Sequence, residues 1–408
     1  MNRNPLRAAV AAALLASCAS AFAQTTPVRP QYSAPPPPDS GPLGVRLGDS
    51  PVFFAPFLNL AAGYDDNVGL TNTNEKSSPL YIVSPGFLMD ARDASKIFQL
   101  TYQGAAGQYT DSEDDNYVDH TVRSNLDLAI SSRQSLRFGY DYIRGHDPRG
   151  ATDRPAATTR PDKYRLVTPS VLYAYGAPGA QGRMEFWYSD SGKRYINNRA
   201  TTVFADRDTQ EFGGSFYYRV APRTHALLEM RRDEIDYRSP LSPFDSQEDR
   251  VYLGATWEAT AATSGTIKVG QLRKKFDSAA LGTLKKTSWE ALVSWSPRTY
   301  SRFDIYSSRQ PVESTGLGTF ILSSSTGITW THGWNSLLST SLNARYAKDE
   351  YQGVNRDDDT KSIGAKVGYK FRRWLTLGAE FTHTQRDSNV STFEYDRNLW
   401  MVTAQITL

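Results

Sequence analysis

The chain has 408 residues, a formal net charge of +3 and a mean hydropathy of −0.51. The near-neutral charge excludes a strongly basic nucleic-acid-binding protein, and the lack of long apolar segments after the N-terminus excludes a bundle of membrane helices. Aromatic residues are plentiful, with 23 Tyr, 18 Phe and 8 Trp, and such residues favour β-strands. A membrane β-barrel agrees with low hydropathy because only alternate strand residues face lipid.

The first 23 residues have the pattern of an export signal. A charged start is followed by an alanine- and leucine-rich stretch, and a small-x-small site ends at Ala23. Cleavage between Ala23 and Gln24 is therefore predicted. A second interpretation stays open, because the residues leading to Cys18 also resemble a lipoprotein signal, in which Cys18 would carry the lipid.

Residues 24–50 differ in composition from the rest of the chain. They include four consecutive prolines, at 35–38, and several glycines, which favour extended, unpacked backbone. This segment is predicted to be a periplasmic linker that leads into a barrel at residues 51–408.

The remainder of the chain, residues 51–408, follows a repeating pattern. Short turn-like breaks recur roughly every 40 residues, and each interval holds two runs of about 10 to 13 residues, the length of a tilted membrane strand. Long polar segments separate the two runs. Short turns that alternate with long loops are typical of outer-membrane barrels. The pattern predicts an all-β fold, an antiparallel transmembrane β-barrel of about 18 strands (16–18).

Within these runs, apolar and polar residues alternate with a period of two. In one run, Leu253, Ala255 and Trp257 alternate with Gly254 and Thr256. Since successive strand residues point to opposite faces, the apolar set is expected to face lipid and the polar set the lumen. The candidate lumen-lining residues are Arg123, Asp127, Arg137, Asp141, Arg183, Glu185, Trp187, Arg219, Tyr252, Glu258, Arg302, Asp304, Arg345, Lys366 and Glu380.

Basic and acidic residues are balanced on this predicted inner face, and two interpretations stay open. In the first, the charges form ion pairs that build the wall of a wide barrel, because unpaired charges are costly where water is scarce. In the second, they line a hydrated path for a polar polymer, with Trp187 and Tyr252 as surfaces on which sugar rings stack.

Nothing in the sequence predicts an enzyme. The histidines are scattered, and no motif for a nucleophile, a metal site or a nucleotide loop is present in its required setting. No catalytic residue, metal ligand or cofactor is therefore predicted.

Several short motifs carry a resemblance to a known family. They are the segment FLNLAAGYDDNV at 57–68, the loop entries Tyr-Thr-Asp at 109–111 and Tyr-Ser-Asp at 188–190, and turns of the type Ala-Pro-Arg at 221–223 and Ser-Pro-Arg at 296–298. With these motifs the chain resembles the beta-barrel porin-2 group, including the EpsL-like proteins encoded with exopolysaccharide operons. The resemblance implies an outer-membrane barrel linked to polysaccharide secretion.

The first functional hypothesis is therefore a conduit or accessory protein for exopolysaccharide export in the bacterial outer membrane. Its expected partners are outer-membrane lipid, polysaccharide and periplasmic export proteins, with no nucleic acid. The alternative is a general diffusion porin for small polar solutes, and a barrel enzyme is a remote third. Neighbouring genes for polymer synthesis would favour export over the porin.

Overall fold

The computed structural model describes residues 44–151, 153, 160–177, 179–260 and 262–407. The predicted signal segment, including Ala23, Gln24 and Cys18, lies outside these residues, as does most of the predicted linker. Among the described residues, no helix is long and apolar enough to cross a membrane. The helical segments described are single short turns, such as Arg199–Thr202.

Eighteen long antiparallel strands form one closed barrel, and a two-residue strand, β1 (Val45–Arg46), pairs with the first of them. The ring closes where the last strand pairs with the first long one, with Thr403 opposite Ala61. The predicted all-β barrel of eighteen strands is thus confirmed. The long strands are β2 (Val52–Asp65), β3 (Ser78–Arg92), β4 (Lys96–Tyr109), β5 (Tyr117–Ser131), β6 (Gln134–Asp147), β7 (Asp162–Tyr175), β8 (Gly182–Tyr195), β9 (Arg207–Ala221), β10 (Thr224–Tyr237), β11 (Ser246–Thr260), β12 (Thr263–Phe276), β13 (Thr283–Arg298), β14 (Ser301–Glu313), β15 (Phe320–Gly333), β16 (Leu338–Gln352), β17 (Arg356–Arg372), β18 (Leu375–Ser388) and β19 (Tyr395–Thr407).

The strands alternate between an apolar outer face and a polar inner face. On β11 the outward Leu253 is 65% exposed, whereas its neighbour Tyr252 is 0% exposed. A wide apolar outer surface is costly in water and favourable in lipid. The porin-like barrel is consistent with the bacterial outer membrane.

The strands extend further towards the long loops than the sequence pattern predicts. They have 13 to 17 residues, whereas about 9 to 11 suffice to cross a bilayer. Two of the polar segments that the sequence assigns to loops, 190–207 and 348–357, begin within strands, since residues 190–195 and 348–352 are the ends of β8 and β16. Beyond the apolar band both faces of a strand can be polar, so the alternation that marks a membrane strand is lost there.

One predicted turn is displaced. Residues 296–298 were expected to form a turn, but they belong to β13, and the chain reverses at residues 299–300. The ladder between β13 and β14 is irregular between Trp295 and Arg298. Such an irregularity accommodates Pro297, which has no N–H to donate to the ladder.

The hairpin of β14 and β15 bends away from the wall. The pairing of β13 with β14 ends at Trp289 and Arg309, although β13 continues its pairing with β12 down to Thr283. The freed hairpin end packs Phe320 and Leu322 against Leu272 of β12 and its neighbour Phe276. Since Leu272 and Phe276 lie on the inner face, this end of the hairpin lies inside the barrel mouth.

Candidate channel lumen and its mouth

Four charged side chains on the inner face of β10, β12 and β13 form a closed ion-pair set, here called the inner quartet: Glu229, Arg231, Lys268 and Glu290. The Lys268 Nζ lies 2.9 Å from carboxylate oxygens of both Glu229 and Glu290. Arg231 contacts the same two carboxylates, at 2.5 Å and 3.4 Å. All four side chains are buried, and two positive and two negative charges make the set neutral. Such a set satisfies its charges locally and leaves little net field in the lumen.

A second charged cluster lies nearer the long loops. Arg250 lies 2.9 Å from Glu248, and the Lys274 Nζ lies 2.6 Å from Glu313. Glu313 also accepts a hydrogen bond of 2.8 Å from the Tyr237 hydroxyl. Tyr237 belongs to β10 and Glu313 to β14, four strands away, so this contact depends on the inward bend of the hairpin.

The opposite wall, from β15 to β19, carries a series of hydroxyl groups in addition to its charged residues. The strand registers place these residues on the same face as Lys366 and Glu380, which form an ion pair of 3.3 Å. Their side chains are half-buried, as expected beside water. The hydroxyl-bearing residues are Thr329, Ser341, Ser362, Thr382, Thr384 and Thr403.

In the loop of residues 148–161, between β6 and β7, the described residues reach across the mouth. Of this loop, residues 148–151, 153, 160 and 161 are described. Asp153 is 2% exposed and is bound by residues 314–317, the connection between β14 and β15. The two hairpins are eight strands apart around the ring of eighteen, which is close to the opposite side.

Two arginines from the far wall also hold this loop by its backbone. Arg386 of β18 donates to the Gly150 carbonyl at 2.8 Å, and Arg356 of β17 donates to the Asp153 carbonyl at 3.2 Å. On the near side, Arg149 binds Asp115 of the connection between β4 and β5. The loop is therefore attached at both sides of the mouth, and it narrows the entrance together with the bent hairpin.

The sequence model of the family described as "Putative beta-barrel porin 2" matches residues 37–408. The chain belongs to this family. Barrels of Pseudomonas aeruginosa have a similar fold. OpdK, solved with vanillate, aligns with a TM-score of 0.52 and 12% identity, covering 87% of this chain and 99% of its own. OccK2 (OpdF), in complex with glucuronate, aligns with a TM-score of 0.50 and 12% identity. The alignment covers 88% of this chain and 98% of OccK2. No curated protein matches the sequence significantly.

In this member of the porin 2 family, eight of the lumen-lining candidates form four ion pairs. The contacts are between neighbouring strands or between residues two apart on one strand, where side chains share a face. Around the wall they are Arg137 with Asp127 (2.5 Å), Arg183 with Glu185 (3.0 Å), Arg302 with Asp304 (2.7 Å) and Lys366 with Glu380 (3.3 Å).

The other charged candidates are dispersed. Arg123 and Asp141 are register partners on β5 and β6. Arg345 donates to the Ser325 hydroxyl at 3.3 Å. Arg219 donates to the Gly179 carbonyl at 2.5 Å, at the short-turn end, where the exposed Glu258 also lies. The structure thus distributes the candidates around the wall and does not gather them into one site.

Trp187 and Tyr252 point inward but are packed into the wall of the barrel. Trp187 is 7% exposed, its ring lies over Gly213, and its Nε1 donates to Glu211 at 2.7 Å. The 0% exposed Tyr252 is hydrogen-bonded through its hydroxyl to Ser288 at 2.8 Å. The interpretation of these rings as stacking surfaces for sugars is not supported, because they offer almost no free face.

The candidate set lacks several residues that organise the lumen: Arg231, Glu290, Lys274, Glu313 and Asp153. Arg231 and Glu290 share the inward phase of Glu229 and Lys268, so the alternation itself could have found them. Asp153 gives no such signal, because its partners lie more than 160 positions away in the chain. Among the described residues, no group of His, Cys, Asp or Glu could hold a metal ion.

Proposed function

We propose that this protein is a general diffusion channel for small polar solutes in the bacterial outer membrane. The observation that carries the proposal is a closed eighteen-strand barrel with a polar inner face on which many of the charges form ion pairs. Barrels of this size are wide enough to hold an aqueous path. A wall of paired charges and hydroxyl groups binds water without creating a strong electrostatic field. Such a lumen suits polar solutes that are positively charged, negatively charged or neutral.

Export of an exopolysaccharide has less support. Gly150 and Asp153 of the loop between β6 and β7, together with the bent β14–β15 hairpin, lie in the mouth through which a polymer would leave. The export hypothesis also requires the rings of Trp187 and Tyr252 to stack on sugars. Both rings are instead packed into the wall. A small solute needs neither a wide mouth nor a stacking surface.

The test is solute permeation through liposomes that contain the refolded full chain. Monosaccharides and disaccharides should enter and swell the liposomes, whereas a dextran of high molecular weight should be excluded. Liposomes carrying the heat-denatured protein are the control for leakage. Absence of permeation by every solute tested would contradict the proposal.

A second measurement separates the porin from the export conduit. Deletion of the gene should leave the amount of extracellular polysaccharide unchanged. Loss of secreted polysaccharide in the deletion strain, restored by the intact gene, would favour export in place of diffusion.

A further inference from the structure

The carboxylate of Asp153 occupies a site built by residues 314–317, here called the carboxylate seat. Three consecutive backbone N–H groups donate to it, those of Thr315 at 2.9 Å, Gly316 at 2.8 Å and Leu317 at 3.0 Å. Hydroxyl groups complete the site: Ser314 Oγ donates at 2.5 Å, and the Thr315 hydroxyl binds the other carboxylate oxygen. Five donors therefore converge on one buried acceptor.

This arrangement is specific for a carboxylate. Successive N–H groups that point into one concavity form an anion site, and hydrogen bonds to a charged acceptor are stronger than neutral ones. An alanine at position 153 would leave the five donors of the carboxylate seat without their acceptor. An asparagine would direct its NH₂ group towards N–H and O–H donors, which is unfavourable.

The contact joins opposite sides of the mouth. Asp153 belongs to the connection between β6 and β7, and the carboxylate seat connects β14 with β15, eight strands away. Among the described residues of this loop, the other attachments to the far wall use the Gly150 and Asp153 carbonyls, which every amino acid provides. Asp153 therefore supplies the attachment that depends on a particular side chain.

We propose that Asp153, bound in the carboxylate seat, holds the loop across the mouth and sets the largest solute that enters. The inference rests on the proposed diffusion function. Asp153 is a positioning residue here. It limits solute size by fixing the position of the loop, and it need not contact a passing solute. A purely structural role would instead change stability and leave the size limit as it is.

The first experiment compares Asp153→Ala with wild type in planar bilayers and in liposome swelling. Loss of one or more charge-assisted hydrogen bonds should raise the released fraction of the loop by roughly tenfold or more. We expect a larger single-channel conductance and entry of larger sugars. Glu113→Gln is the matched control, because Glu113 is an exposed acid at the same mouth. Conductance and size limit equal to wild type in Asp153→Ala would overturn the proposal.

The second experiment fixes the loop covalently with Asp153→Cys and Thr315→Cys in one chain. The two native side chains are in direct contact, so a disulfide can form with small adjustment. The single native cysteine, Cys18, is replaced by Ser in this variant, so it cannot compete for the disulfide. Oxidised protein should show the wild-type size limit, and reduction should raise it to that of Asp153→Ala. An equal limit in both states would overturn the proposal.

The two proposals fail in distinguishable ways. If the disulfide forms but neither wild type nor any variant passes solutes, the diffusion function is wrong, and the size-limiting role of Asp153 falls with it. If wild type passes small sugars but the disulfide fails to form, the loop does not lie in the carboxylate seat. In that case diffusion stands and the role of Asp153 is wrong.

Discussion

At the scale of single residues, Lys268 holds the inner quartet together. Its ammonium group lies at 2.9 Å from both Glu229 and Glu290 and over the ring of Tyr252 at 5.0 Å. The side chain is 8% exposed, so water molecules cannot substitute for these contacts if they are lost. Removing one partner of a buried ion pair leaves the other charge uncompensated, which costs more than the pair itself contributes.

Lys268→Met is therefore expected to destabilise the barrel by about 3 kcal/mol, because it leaves Glu229 and Glu290 with Arg231 alone. The measurement is denaturant unfolding of the protein refolded into lipid vesicles. Lys361→Met is the matched control, since its ion pair with Asp387 is exposed, and its unfolding midpoint should equal that of wild type. Equal midpoints in both variants would show that the inner quartet is solvated.

Gly213 is a second position at which the packing tolerates only glycine. A Cβ at this position would lie 2.4 Å from Trp187 Cζ2 and 2.8 Å from the backbone oxygen of Met230. The indole ring can lie flat on the strand only because this position lacks a side chain.

Gly213→Ala should displace the Trp187 ring and cost about 1–3 kcal/mol through overpacking. Unfolding curves and tryptophan fluorescence are the measurements. Gly333→Ala is the control, because the nearest atom to its added Cβ is 3.8 Å away. A Gly213→Ala protein as stable as the control would contradict the close ring packing.

At the scale of the strand, the two faces differ in what they tolerate. On β11, Leu253 faces outward and is flanked across the ladder by Leu228 and Val269, which are also apolar. Three residues along the same strand, Thr256 faces inward and pairs with Thr266. The strand thus separates lipid from the lumen.

Leu253→Arg should cost about 2–4 kcal/mol, because it moves a charge into the lipid-facing band. Thr256→Arg on the same strand places the same charge in the lumen and should cost less. Refolding yield and unfolding midpoints in vesicles measure both. Equal losses on the two faces would show that the assignment of the faces is wrong.

At the scale of the whole molecule, the ladder closes into a ring, and an unpaired stretch such as that of β14 beyond Arg309 lies at the mouth. Each long strand has a partner on both sides, from β2 through β19 and back to β2. A closed ladder resists unfolding, because it has no full-length edge at which strands could separate or to which a strand of another molecule could pair.

The folded protein should therefore resist detergent at room temperature and migrate faster on a denaturing gel than the boiled sample. It should also fractionate with the outer membrane. The boiled sample is the control for the unfolded position. Recovery as a soluble periplasmic protein with a single gel position would contradict a membrane barrel.

The amino-acid sequence was enough to predict the strands, their number and which face of each strand points outward. These features are local: alternation with a period of two and the contrast between short turns and long loops can be read within one hairpin. Ion pairs such as Arg183 with Glu185 also follow from the sequence, because residues two apart on a strand share a face. The predicted cleavage after Ala23 stays a prediction.

The arrangement of side chains inside the barrel depends instead on packing between distant segments. The inner quartet joins strands whose residues are up to about 60 positions apart, and Asp153 meets Thr315 at a separation of 162. The inward bend of β14 and β15 and the burial of Trp187 likewise depend on how side chains from several strands fill the lumen. No local pattern contains this information, because the path of a loop is set by packing between segments that are distant in the chain.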